Sequence, residues 1–289
     1  MRTRKVTPWL YAGPALVLLA FFLVYPSVDT IRLSFLDKHG ETSVGFANYT
    51  YAFTNRTMLT AFRNNALWVV VFTLFTVSLG LLFAVLLDRV RYERIIKSIV
   101  FIPMAISMVG ASTIWKFVYA FRPEGTPQIG LLNQIVVALG GEPIGWLIER
   151  PWINNFCLIV VGIWIWTGFC MVVLSAAYKN IPRQLMEAAR IDGASEWQLF
   201  CKVILPLLWP TVAVVMTTMV VFVLKIFDIV YVMTNGNFST EVIANRMYKE
   251  QFAFGNFGRA STLAVVLLIL IIPMMVINIR RFKRQEAMR

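Results

Sequence analysis

Residues 181–206 read Ile181-Pro-Arg-Gln-Leu-Met-Glu-Ala-Ala-Arg-Ile-Asp-Gly193, then Ala194-Ser-Glu-Trp-Gln-Leu-Phe-Cys-Lys-Val-Ile-Leu-Pro206. Pro182 suits the opening of a helix, where a missing N–H leaves no bond unmade. Gly193 suits its end, because a left-handed residue there closes the last turn. Ser195 with Gln198 fits a reciprocal cap that starts a second helix. Pro206 stands before a long apolar run. The spacing predicts a short polar helix, a sharp turn and a second helix, set between two greasy stretches. Ala188 and Ala189 leave the first helix thin, which allows close approach by a partner. Glu187 lies within one turn of Arg183 and Arg190. A local ion pair, a contact to another chain and a helix lying on lipid headgroups all remain open.

Outward from this hairpin the chain is dominated by apolar runs. Of its 289 residues, 58% are hydrophobic and 15% charged, and the mean hydropathy is +0.70. Ordinary soluble domains are about 45–50% apolar and about 25% charged. Disorder needs the opposite composition, and three cysteines are too few for a disulfide scaffold. A helix needs about 20 mostly apolar residues to cross a hydrocarbon core of about 30 Å. Six stretches meet this, near 9–35, 62–87, 99–121, 152–178, 207–233 and 260–279. They lack the alternation of barrel strands, and lipid tolerates no unpaired backbone. The expected fold is an all-α integral membrane protein of six transmembrane helices in a single domain, 1–289. The first run begins like a secretory signal, but it continues past Pro26 without a small-residue cleavage site, so it reads as a retained anchor.

Charge sets the expected orientation. Alternate segments hold sixteen Lys and Arg: Arg2, Arg4 and Lys5; Arg89, Arg91, Arg94 and Lys97; Lys179, Arg183, Arg190 and Lys202; and Arg280, Arg281, Lys283, Arg284 and Arg289. The other three loops hold eight, namely Lys38, Arg56, Arg63, Arg122, Arg150, Arg246, Lys249 and Arg259. Positive charge stays inside, so both termini and the 181–206 hairpin are expected in the cytoplasm. The net charge of +12 then follows from topology, and no nucleic-acid partner is needed. The outer loops are too short for a further domain. An apolar piece at 129–139 in the second one reads as an interfacial helix or a cap.

The hairpin resembles the EAA loop of binding-protein-dependent ABC importer permeases. That signature is E-A-A, three residues, G, nine residues, then I-x-L-P. Here it is Glu187-Ala188-Ala189, Gly193 and Val203-Ile204-Leu205-Pro206, with valine where isoleucine is usual. Gly45-Phe46, Asn48-Tyr49, Asn64-Asn65, Phe101-Ile102-Pro103, Trp115, Gly130-Leu131-Leu132-Asn133, Trp146-Leu147 and Trp164 are similar to the sugar branch, the maltose-type carbohydrate permeases. Lys225 to Phe238 and Val242 to Tyr248 are most similar to permeases for α-glucosides. The resemblance implies a type I importer fold in the inner membrane. It implies that 181–206 is the coupling loop, with Glu187, Ala188, Ala189, Gly193, Leu205 and Pro206 engaging a separate ATPase. It also implies a second permease as heterodimer partner, two ATPase subunits and an extracytoplasmic sugar-binding protein. ATP and Mg belong to the ATPase chains, and none is expected here. The sequence agrees, because no G-x-x-x-x-G-K-[ST] occurs and Lys97-Ser98 lacks both glycines.

Charged groups at membrane depth need a reason. Lys225 and Asp228 are three apart, which would share one helical face, either as a structural pair or lining a polar path. Asp29 and Arg32 repeat that spacing near the end of the first run and favour a structural pair. Sugars stack on aromatic rings, so Trp164, Trp166, Thr167, Phe169, Phe222, Lys225 and Asp228 are the candidate pathway residues, with helix packing the competing reading of the rings. His39 stands alone in a loop, and no metal-ligand spacing or nucleophile–base pair appears, so a transport subunit fits better than an enzyme. The rivals are an ion-coupled secondary transporter, which would show broken helices and internal symmetry, and an ABC permease for a non-sugar solute such as glycerol phosphate.

Overall fold

The computed structural model describes residues 7–88, 90–148 and 152–287. Arg2, Arg4, Lys5, Arg89, Arg150 and Arg289, which enter the charge count, lie outside the described residues. In chain order the helices are α1 Thr7–Leu19, α2 Tyr25–Leu33, α3 Ala47–Thr54, α4 Arg56–Leu87, α5 Glu93–Phe101, α6 Met108–Val118 and α7 Leu131–Ala138. They continue as α8 Ile153–Lys179, α9 Arg183–Ile191, α10 Glu196–Leu199, α11 Leu205–Leu224, α12 Asp228–Met233, α13 Ile243–Tyr248 and α14 Phe257–Ala287. Apart from an isolated bridge between Leu36 and Ser43, the regular structure among the described residues is helical.

Five helical runs are long and apolar enough to cross a membrane, and α5 with α6 makes a sixth if the pair, bent by 100°, counts as one. The expectation of a continuous third span over 99–121 is therefore corrected. Pro103 sits in a tight turn after α5, where it cannot donate a helical hydrogen bond. Ser107 then starts a new helix, its Oγ accepting from the Gly110 N–H at 3.1 Å.

The fifth span is corrected at both ends. It was expected over 207–233, yet Glu196–Leu224 forms one 29-residue run, so Pro206 does not mark its start. Pro206 offers no N–H to the carbonyl of Lys202, and the turn before it widens: the Leu205 N–H reaches back five residues to Phe200. Pro26 is preceded by the same device, Tyr25 N–H to Ala20, which keeps the first run helical from α1 into α2. At the far end, the N–H groups of Lys225 and Ile226 tighten onto Phe222 and Val223, both at 3.1 Å. The freed carbonyl of Leu224 accepts instead from Asn65 Nδ2 at 3.3 Å. Lys225 thus ends one helix and Asp228 begins the next, and the two do not share a helical face. No ion pair joins them among the described residues.

The chain divides into two compact units, Met1–Leu59 with Arg246–Ile269, and Thr60–Asn245 with Leu270–Arg289. In the first, Thr262 Oγ1 donates to the carbonyl of Ser34 at 3.0 Å, and Asn48 Nδ2 donates to the carbonyls of Ser34 at 3.1 Å and Leu36 at 2.7 Å. Asp29 and Arg32 on α2 form their ion pair at 3.0 Å. In the second, α8 packs with α4, α5, α6 and α11 around Trp68, Phe72, Leu158, Met171, Leu174 and Met219. Lipid is as apolar as these side chains, so close packing and interhelical hydrogen bonds hold such helices together, not escape from water.

Candidate functional site

The hairpin at 181–206 is built from local rules. Pro182 is the residue before the first turn of α9. The helix closes in a Schellman motif, with Ala194 N–H on the carbonyl of Ala189 at 3.0 Å and Gly193 N–H on that of Arg190 at 3.1 Å. This requires Gly193 at φ +84°, a conformation open to glycine without strain. Ser195 Oγ accepts from the Gln198 N–H at 3.3 Å, and Gln198 Oε1 accepts from the Ser195 N–H at 2.9 Å, which completes the reciprocal cap.

The two faces of α9 differ. Met186 and Ala189, three apart, turn inward onto the core beside Tyr178, Phe200 and Val203. Ala188, Glu187 and Arg190 face out. Ala189 is therefore a packing residue, and Ala188 is the small residue on the open face. Arg190 pairs with Glu196 at 2.9 Å, and Glu187 has no ion pair among the described residues. On the same hairpin Ile191 is 86% exposed and Trp197 73%, and Leu185 is also open. Exposed apolar side chains on a polar helix mark a contact surface. The base of the hairpin is braced. Glu93 Oε1 receives Lys97 and Lys179, each at 2.6 Å, Asp88 adds a contact to Lys179 at 3.6 Å, and Lys97 also donates to Ser175. The end of α8, two residues before Ile181, is thereby tied to the α4–α5 connection.

The candidate pathway residues separate into groups. Trp166 and Phe222 lie with ring centroids 4.3 Å apart, with Phe169 5.8 Å from Trp166 and Phe72 5.9 Å from Phe222. The buried Nε1 atoms of Trp166 and Trp68 and the hydroxyls of Thr73 and Thr76 have no hydrogen-bond partner among the described residues. Rings that carry an unspent indole N–H, as Trp166 and Trp68 do, can meet both the flat face and the hydroxyls of a sugar. Trp164 lies elsewhere, 5.7 Å from Trp115 in a cluster with Tyr119 and Trp146. Thr167 spends its hydroxyl on the carbonyl of Ile163 at 2.7 Å. Lys225 is exposed and Asp228 half-buried, outside the ring cluster.

Sequence reasoning gave no structural role to four asparagines that hold the loop 234–242 and its two flanks. Asn64 Nδ2 donates to the carbonyls of Ser239 and Glu241, both at 2.8 Å. Asn154 donates to that of Phe238 at 2.7 Å and Asn155 to that of Ser239 at 3.4 Å. Asn65, which donates to the carbonyl of Leu224, also accepts at Oδ1 from the Ile243 N–H at 2.8 Å. All four are buried. The signal was an Asn-Asn pair at the start of two apolar runs, 64–65 and 154–155, each too polar to bury without a partner. The apolar piece at 129–139 forms α7, where Asn133 holds the carbonyls of Ala120 and Ile144, both at 3.0 Å.

Residues 76–282 match the family described as binding-protein-dependent transport system inner membrane component, and the chain belongs to that family. It is the multi-pass permease subunit of an ABC importer, a transport component of the inner membrane. The ion-coupled carrier does not stand. Among its relatives, the osmoprotective compounds uptake permease protein GgtC of Synechocystis sp. is 60% identical over 97% of this chain and 100% of its own length. The alpha-glucoside transport system permease protein AglF of Rhizobium meliloti is 48% identical over 98% of this chain and 84% of its own. A chain of a bacterial ABC transporter involved in import of the acidic polysaccharide alginate has the same fold, with a TM-score of 0.80 at 23% identity over 94% of this chain and 95% of that one.

Proposed function

We propose that this permease translocates a neutral glucoside, of the α-glucoside or small oligosaccharide class, delivered by an extracytoplasmic binding protein. It works with a second, distinct permease and two ATPase subunits that carry ATP and Mg. Both termini and the 181–206 hairpin face the cytoplasm, and the hairpin sits in the ATPase. The observation that carries this is the exposed face of α9, where Glu187, outside any intrachain ion pair among the described residues, stands beside open Ala188 and one turn from open Ile191. Glu187 and Ala188 make the contact, Gly193 fixes the turn, and Leu205 and Pro206 transmit its movement to α11. Trp166, Phe169 and Phe222 line the solute's path.

The solute class is supported by AglF, named for alpha-glucoside transport, and by the lactose transport system permease protein LacF of Rhizobium radiobacter, 30% identical over 93% of this chain and 92% of its own. GgtC, named for osmoprotective compounds, supports a second reading, an osmoprotective solute. A neutral glucoside that also serves as a compatible solute satisfies both names. The test is to purify the tagged chain in mild detergent, reconstitute the complex that comes with it, and measure ATPase with the binding protein loaded from a panel. An ATPase and a second permease should copurify, and α-glucosides should stimulate. Stimulation by a zwitterionic osmoprotectant alone would overturn the solute class, and no copurifying ATPase would overturn the docking role.

A further inference from the structure

Outside the hairpin and the ring cluster, the first unit holds a pocket of about 330 Å³ lined by Lys38, Arg246, Glu250, Phe254, Asn256 and Arg259. Its charges do not balance. Glu250, 1% exposed, accepts from Arg246 Nε at 2.9 Å and from the Tyr51 hydroxyl at 2.9 Å, and Arg246 reaches it again at 2.7 Å. One carboxylate is thus spent on one guanidinium. Arg259 lies over the ring of Tyr51, 3.9 Å from its centroid, and neither Arg259 nor Lys38 has an ion pair among the described residues. The neighbouring Asp37 is turned into its own loop, accepting from Thr42 Oγ1 at 2.7 Å, the Glu41 N–H at 2.9 Å and the His39 N–H at 3.2 Å. Those donors hold its carboxyl down to about 2.

The pocket walls are fixed in place. The Phe257 N–H donates to the carbonyl of Lys38 at 3.0 Å, and Asn256 Oδ1 accepts from the Arg259 N–H at 3.0 Å. A side chain at Gly258 would collide with the carbonyl of Leu36. Phe254 lines the pocket and is itself exposed, and Phe252 and Phe257 are exposed on the same segment. A cationic pocket with an exposed aromatic wall, on a segment that exposes further rings, suits a protein surface better than a free solute.

We propose that this pocket is the socket for an acidic side chain of the binding protein, its carboxylate held by Arg259 and Lys38. The proposal rests on the reading above that the loops after the first span and before the last face outward. Guanidinium forks grip carboxylates with fixed geometry, and charges of this kind set encounter and register more than bulk affinity.

The experiment uses the whole complex in nanodiscs, titrated with solute-loaded binding protein while ATPase is read. Arg259→Gln and Lys38→Ala should each raise the half-saturating binding-protein concentration, by about tenfold at low ionic strength, with the saturated rate retained. Both should flatten its dependence on salt. Lys38 is exposed, so its variant keeps the test open if Arg259→Gln misfolds. Unchanged half-saturation in Lys38→Ala would overturn the inference. So would a response to anionic lipid content with half-saturation unmoved, which would assign the pocket to headgroups. A wild-type complex that no binding protein stimulates would overturn the proposed function itself, and this inference with it.

Discussion

At Pro206 the run Glu196–Leu224 carries on; at Lys225, which is neither proline nor glycine, it stops. The proline is absorbed locally, by one widened turn from Phe200 to Leu205. The stop is imposed from far along the chain, by Asn65 accepting the role of the missing backbone donor. A helix therefore breaks where its freed carbonyls find another partner, and continues where a neighbouring turn can take up the strain. The first device makes a rigid connection from hairpin to span. The second releases the chain to form α12 and the pinned loop 234–242.

The difference can be broken by substitution. Asn65→Leu should have the largest effect, because it strands the Leu224 carbonyl and the Ile243 N–H together. Two unsatisfied buried backbone groups cost about 2–4 kcal/mol, read as a clear fall in thermal stability of the detergent-purified protein. Gly193→Pro with Glu187→Ala should leave folding largely intact and abolish ATP-driven uptake, because proline cannot adopt φ +84° and the contact surface loses its carboxylate. Retained uptake would sever the hairpin from energy coupling.

Pro206→Ala sharpens the contrast. Without proline the widened turn can relax to an α-helix, and the hairpin rotates by about 100°, one residue of helix. Stability should hold or rise while uptake per ATP falls severalfold, measured in proteoliposomes. Ser195→Ala is the smallest change, removing one cap worth about 1 kcal/mol. It should lower thermal stability slightly and leave the half-saturating binding-protein concentration alone.

What could be read beforehand divides along the same line. The hairpin was legible because Pro182, Gly193, Ser195 and Gln198 act on neighbours within a few residues. The apolar runs were legible because lipid leaves helices few alternatives. The bend between α5 and α6 had a local marker in Pro103, masked by the apolar run around it. The break at Lys225 had none nearby, since its partner is 159 residues away in sequence. Of the pathway candidates, Trp166, Phe169 and Phe222 come together because α8 and α11 pack side by side. Trp164, two residues from Trp166, points to a different neighbour, α6. Type and spacing suggested the rings, and helix rotation decided which of them meet.

The most direct trial of the docking hairpin is a single cysteine at Glu187, placed in a chain with Cys157, Cys170 and Cys201 replaced. In whole cells a membrane-impermeant maleimide should leave it unlabelled, and after permeabilisation a short bifunctional reagent should join it to the ATPase subunit. Labelling from outside intact cells, or a cross-link that never includes an ATPase, would contradict the account.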